Sequence, residues 1–130
     1  FAMSVLEAVD KHLKDVAAGI FGLIGISVSD RDGLTLAKSS TGDSKINTST
    51  LSAVFASATE QAGKLSLGSN SSIITYTDKY VIVQAAHTPL VITFVGSESL
   101  NVGLVMKVIP SLRSKLENIR EKVDSIISLA

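Results

Sequence analysis

No cysteine occurs anywhere in the 130 residues, and there is no tryptophan. The first absence excludes disulfides and thiolate metal sites, and it fits a reducing compartment. Four phenylalanines and two tyrosines are the whole aromatic content, so the chain has no base-stacking platform of the kind RNA-binding sheets use. A surplus of one charge is missing as well. Twelve basic residues balance twelve acidic ones, leaving no field to steer the chain to nucleic acid or to an anionic membrane. The longest apolar runs, Phe21–Ile26 and Pro89–Gly96, fall far short of the ~20 residues a spanning helix needs. No nucleic acid partner and no direct membrane insertion are expected.

What the chain does have is apolar surface. Hydrophobic residues make up 45% against 18% charged, and mean hydropathy is +0.38. Such a chain either covers both faces of a sheet or keeps an apolar patch for a partner. Its length suits one domain that buries roughly two thirds of its unfolded surface. We place that domain at residues 4–128 and read residues 1–3 (Phe-Ala-Met) as an expression scar before a start at Met3 or Ser4. No signal-peptide leader and no acylation motif are expected at the start, nor a lipidated cysteine at the end.

The pattern predicts helix, two strands, helix, three strands, helix. Val5, Leu6, Val9, Leu13 and Val16 have helical spacing, with Ser4 as a cap and Gly19 as a left-handed terminator. A strand over Leu23–Ser29 turns at Asp30-Arg31-Asp32-Gly33, whose Asp and Gly sit where a type I turn wants them, into Leu34–Lys38. Ser39–Ser49 is one long polar loop. The helix that follows, running to about Gly68, carries Leu51, Val54, Phe55, Ala58, Ala62 and Leu65 on one face. Beside that face runs a slim stripe of Ser52, Ala56, Thr59, Gly63 and Ser66, nearly uncharged, where another backbone could come close. Ser72–Thr77, Tyr80–His87 and Leu90–Gly96 read as a meander, and the last two are apolar on both alternations, hence central. From Asn101 the chain is helical, with Val105, Ile109, Leu112, Leu116, Ile119, Val123 and Ile126 in step and a kink expected at Pro110. A helix packed on a sheet is the expectation for that run, with a coiled-coil seam as the alternative.

Motifs that could carry chemistry fail one by one. Asp30-Arg31-Asp32-Gly33 opens like a calcium loop, but Leu34, Thr35 and Thr41 stand where its fifth ligand, glycine and twelfth ligand belong. Ala62-Gly63-Lys64-Leu65 lacks the first glycine and the terminal hydroxyl of a phosphate-binding loop. The two histidines, His12 and His87, read as a half-exposed helix residue and a polar group near a turn. No carboxylate cluster joins them to hold zinc. There is no Gly-x-Ser-x-Gly elbow, and Asn47-Thr48-Ser49 and Asn70-Ser71-Ser72 suit caps and turns better than glycosylation. The chain is expected to be no enzyme, with no catalytic residue, no cofactor and no metal.

Four segments together carry a resemblance. Ile26–Gly33 (ISVSDRDG), Phe55–Ile74 (FASATEQAGKLSLGSNSSII), Tyr80–Gly96 (YVIVQAAHTPLVITFVG) and Asn101–Leu104 (NVGL) resemble the roadblock/dynein light chain family, nearest to its Ragulator-type scaffold subunits. The similarity runs from about Leu13 to Val123. It implies an α+β fold of order α-β-β-α-β-β-β-α, with a five-stranded antiparallel sheet between the middle helix and the two terminal helices. It also implies a heterodimer with a second roadblock-type subunit, in which middle helices pack and edge strands join two sheets. On this sequence that contact falls on Ser52, Phe55, Ala56, Thr59 and Gly63, and on Ile73, Ile74, Thr75 and Tyr76.

The same resemblance implies a non-catalytic adaptor. It would belong to a larger Ragulator-like complex with Rag-type GTPases, supporting mTOR and MAP kinase signalling and contacting kinases of that pathway. It would be cytoplasmic and recruited to late endosomes or lysosomes through a lipidated partner. Two other readings stay open from the sequence: a homodimeric roadblock regulator of a small GTPase, and a ligand-sensing domain of similar architecture.

Overall fold

The computed structural model describes residues 2–40 and 48–129. Helix α1 (Ala2–Ala18) leads into strands β1 (Leu23–Asp30) and β2 (Thr35–Ser40), then helix α2 (Thr48–Gly63). Strands β3 (Ser72–Tyr76), β4 (Tyr80–His87) and β5 (Leu90–Ser97) follow, and helices α3 (Val102–Lys115) and α4 (Glu117–Leu129) close the chain. All pairings are antiparallel, in the order β2-β1-β5-β4-β3. The expected α+β arrangement is therefore present, with β5 and β4 inside the sheet. Most of the Ser39–Ser49 loop, with Thr41 and Asn47, and the side chains of Ser4, Val5, Leu6, Val123 and Ile126 lie outside the described residues.

Local chemistry sets the turns. The Asp30 carboxylate accepts the N–H groups of Asp32 and Leu34, each at 2.9 Å, and Gly33 closes the hairpin at φ +91°. Gly19 is not the left-handed terminator of α1. The left-handed glycine here is Gly22, at φ +85° in the turn that enters β1, where a Cβ would also sit 3.0 Å from the Leu100 backbone. The Thr88-Pro89 bond between β4 and β5 is cis.

Strand alternation divides the sheet into two unlike faces. One presents Ile26, Val28, Val81, Val83, Ala85, Ile92 and Phe94 to Val9 and Leu13 of α1, to Val105, Ile109 and Leu112 of α3, and to Leu116 and Ile119 beyond it, all buried in one apolar cluster. The regular C-terminal repeat is thus a sheet-facing stripe and not a coiled-coil seam. Pro110 lies on the exposed side of α3, and the helix passes through it, as its continuing apolar register implied. The helix is interrupted at Leu116, whose N–H is shared between the carbonyls of Leu112 and Arg113.

The other face carries α2. Ser27, Ser29, Gln84 and Thr93 are buried there, on the alternation opposite Ile26, Val28, Val83 and Ile92. Ser52 of α2, fully buried, completes the set. Helix α2 ends at Gly63, short of Gly68, and Lys64, Leu65 and Ser66 turn back onto the carbonyls of Gln61, Ala62 and Gly63. Its inward side is also rotated from the expected one. Val54 and Leu65, expected inside, are 51% and 66% exposed, while Ser52 of the outer stripe points in. The reason lies in the sheet beneath. A hydroxyl-lined surface offers Ser52 a partner in Ser29, with the two Oγ atoms 2.5 Å apart, and offers Val54 none.

Candidate functional site

The two edges of the sheet are treated differently. Along β2, helix α1 packs beside the strand, and Asp10 Oδ1 accepts the Lys38 N–H at 3.1 Å. An outward backbone donor of that edge is thereby occupied by a side chain of the same molecule. At the other edge, β3 pairs only with β4. The Thr77 N–H reaches Tyr80 O, and Ser71 O receives Ala86 N–H, so residues 71, 73, 75 and 77 turn their backbone groups toward β4. By antiparallel alternation, Ser72, Ile74 and Tyr76 turn theirs to the open side. No charge and no proline blunts that strand, which natural edges commonly carry to deter association.

The side chains around this edge are apolar and exposed. Tyr76 is 71% exposed and Ile74 39%, while Ile73 and Thr75 are half-buried. At the end of α2 stand Leu65 and Leu67, the latter 85% exposed, on a loop held by left-handed Ser66 and Gly68. The exposed side of α2 itself carries Ala53, Val54, Ala56, Ser57, Glu60, Gln61 and Gly63. Long side chains enter only in its last turn.

Of the residues assigned from sequence to a partner contact, the structure divides the helical set. Ala56 and Gly63 are exposed, and Thr59 is half-buried with its hydroxyl accepting from Asn70 Nδ2 at 3.2 Å. Ser52 and Phe55 are buried within the subunit. With Ala56 and Thr59 they line a cleft of about 130 Å³ against Pro89 and Val91. Ile73, Ile74, Thr75 and Tyr76 all lie on the open edge strand. Val54, Leu65 and Leu67, which the sequence did not place on the contact, are exposed beside it. The signal for the leucines was the Gly63–Gly68 interval, which can end a helix early.

The histidines carry no constellation for catalysis. His12 Nε2 is buried without a protein partner. His87, mostly buried at the end of β4, sets its Nε2 3.2 Å from Glu117 Oε2. Arg120 Nε donates to the other oxygen of Glu117 at 2.9 Å, and Arg113 donates from Nε and Nη2 to the Ala86 carbonyl at 3.2 and 2.9 Å. Burial holds the imidazole below its ordinary 6.5; Arg120 and Arg113 act the same way, and Glu117 opposes them. The Arg120 guanidinium holds the Glu117 carboxyl below its own ordinary value. This cluster fastens β4 to the last two helices. Among the described residues, no group of three or more His, Asp or Glu side chains is placed to hold a metal ion.

Known proteins give the surface a setting. Residues 7–123 match the sequence family described as mitogen-activated protein kinase kinase 1 interacting. The chain is 35% identical over 116 residues to the Ragulator complex protein LAMTOR3 of Pagrus major, spanning 88% of this chain and 94% of that one. A solved structure of MglB with tetrameric arrangement superposes with a TM-score of 0.80 at 17% identity, over 94% of each chain. The Roadblock/LC7 domain from Streptomyces avermitilis superposes at 0.69 with 8% identity, over 85% of this chain and 95% of that one. At those identities the structural likeness establishes the fold alone, and it is the roadblock fold.

Proposed function

The chain belongs to the mitogen-activated protein kinase kinase 1 interacting family, and from that premise we propose that it is a non-catalytic adaptor subunit that pairs with a second roadblock-type subunit. The observation that carries this reading is the unequal treatment of the sheet edges. At one, Asp10 occupies an outward backbone donor and α1 packs alongside, while the other is bare, uncharged and flanked by Ile74, Tyr76 and the thin outer side of α2. Strand addition at β3 with helix packing at α2 would cover all of these at once. The partner contact would then comprise Ala56, Thr59, Gly63, Ile73, Ile74, Thr75 and Tyr76, with Val54 added and with Ser52 and Phe55 supporting from within.

Ragulator membership is named for the relatives. Carried to this chain, it makes the pair part of a scaffold for Rag-type GTPases, mTOR signalling and MAP kinase pathway kinases on late endosomes or lysosomes. Recruitment there would run through a partner; no described helix is long and apolar enough to cross a membrane. The ligand-sensing alternative finds little support beneath α2. The cleft there is about 130 Å³, below the ~300–1,000 Å³ of small-molecule sites, although open clefts of about 480 and 640 Å³ lie along α1.

Light-scattering chromatography of the chain alone and mixed with a second roadblock-type subunit tests the reading. A 1:1 complex is expected. Stable self-pairing that excludes the second subunit would favour the homodimeric regulator instead.

A further inference from the structure

The five described polar side chains that are buried, Ser27, Ser29, Ser52, Gln84 and Thr93, all belong to the layer between α2 and the sheet. The opposite layer buries apolar side chains, with His12 and His87 half-buried on that side. This segregation has mechanical consequences. An apolar interface is held by interlocking side chains that admit no gradual displacement. The α2 layer is mixed: Phe55, Val91 and Val95 are buried in it, while its polar groups are held by a few directional bonds and regain bonds to water when the layer opens.

The bonds across this layer can be named. Ser29 and Ser52 share one hydrogen bond. Gln84 Nε2 donates to the Leu51 carbonyl at 2.8 Å and lies 3.5 Å from Thr93 Oγ1. Ser49 Oγ donates to the Gly33 carbonyl at 3.0 Å, and Asn70 holds Thr59 near the other end. The Ser27 hydroxyl, also buried, reaches no protein partner, so its hydration is recovered only on opening. Of the apolar side chains of α2, Phe55 alone is buried. Leu51, Ala58 and Ala62 are half-buried, and Val54 faces outward.

We infer that α2 is a separately opening element, which lifts from the sheet as a unit while the sheet, α1 and α3 stay folded. Such sub-global opening is common where an element is held by few apolar contacts. That the motion lets the helix adjust to a docking subunit rests on the function proposed above; the motion itself belongs to the chain alone and is measured without a partner.

Hydrogen exchange of the full chain, resolved by peptide, is the test. Amides of residues 52–63 are expected to exchange at least a hundredfold faster than those of β5 and of α3 near Leu112. The variant Ser27→Ala removes the unpaired hydroxyl and leaves the named bonds across the layer in place. It should slow exchange in α2 at least tenfold and leave β5 unchanged. Exchange of α2 at the rate of β5 in the unaltered protein would overturn the inference. So would a variant in which α2 and β5 slow together, since one cooperative unit would then span both layers. Neither result bears on whether a second subunit binds, which the chromatography reads independently.

Discussion

Single side chains decide how α2 sits. Ser29 and Ser52 satisfy each other in a place where neither can reach water. Removing one partner leaves the other buried and unpaired, so Ser29→Ala is expected to cost about 1–3 kcal/mol in denaturant unfolding. The double variant Ser29→Ala, Ser52→Ala should recover most of that loss, because two apolar groups can replace a bonded pair almost neutrally. A double variant as weak as the sum of the singles would mean the pair is not bonded. His87 acts at the same scale. Its folded value lies below the ordinary 6.5, so below that pH the unfolded chain takes up a proton that the folded chain does not. Stability present above pH 6.5 is therefore lost as the pH falls through that value toward the folded one. Glu117, also held below its ordinary value, gives the same sign in a more acid range. His87→Gln is expected to flatten the decline between about pH 7.5 and 5.5 in thermal melts. An unchanged slope would remove His87 as its cause.

At the scale of elements, strands and the C-terminal repeat were legible in the sequence, and α2 was only half legible. Leu90–Gly96 is apolar on both alternations and is the most buried strand, β5. The stripe of Val105, Ile109, Leu112, Leu116 and Ile119 faces the sheet as its period implied. Helix α2 misled because periodicity reports which side is more apolar, whereas the side that turns inward depends on what the sheet offers. Ser27, Ser29, Gln84 and Thr93 made a polar bed, and that is visible only once β1, β4 and β5 are neighbours. The break at Leu116 was hidden, because the apolar period runs through it without a change of step. The buried stripe has a direct test. Leu112 and Leu116 are fully buried, so Leu112→Ala and Leu116→Ala should each cost roughly 2–5 kcal/mol. Normal stability with altered self-association would return the coiled-coil reading.

Across the whole molecule, the two sheet edges are unequal: Asp10 takes up an outward donor of β2, whereas β3 pairs only with β4. The candidate contact was legible there because uncharged edge residues at Ile73–Tyr76 show in sequence, whereas the Asp10 cap on Lys38 joins residues far apart in the chain and does not. This asymmetry makes Ile74→Pro an informative change. The Ile74 N–H points to the open side, so proline takes no hydrogen bond from the β3–β4 ladder. It does remove the central outward donor and place a ring where an incoming strand must lie. The variant should keep its circular dichroism spectrum and lose at least tenfold in affinity for a second roadblock-type subunit, which is about 1.4 kcal/mol. Asp10→Ala is the matching control at the β2 edge: it frees the Lys38 N–H and should weaken folding slightly while leaving partner affinity unchanged. If Ile74→Pro binds as tightly as the unaltered chain, the β3 edge is not where the subunits join. If Asp10→Ala is the variant that loses affinity, the contact lies on the side of α1 and β2 instead.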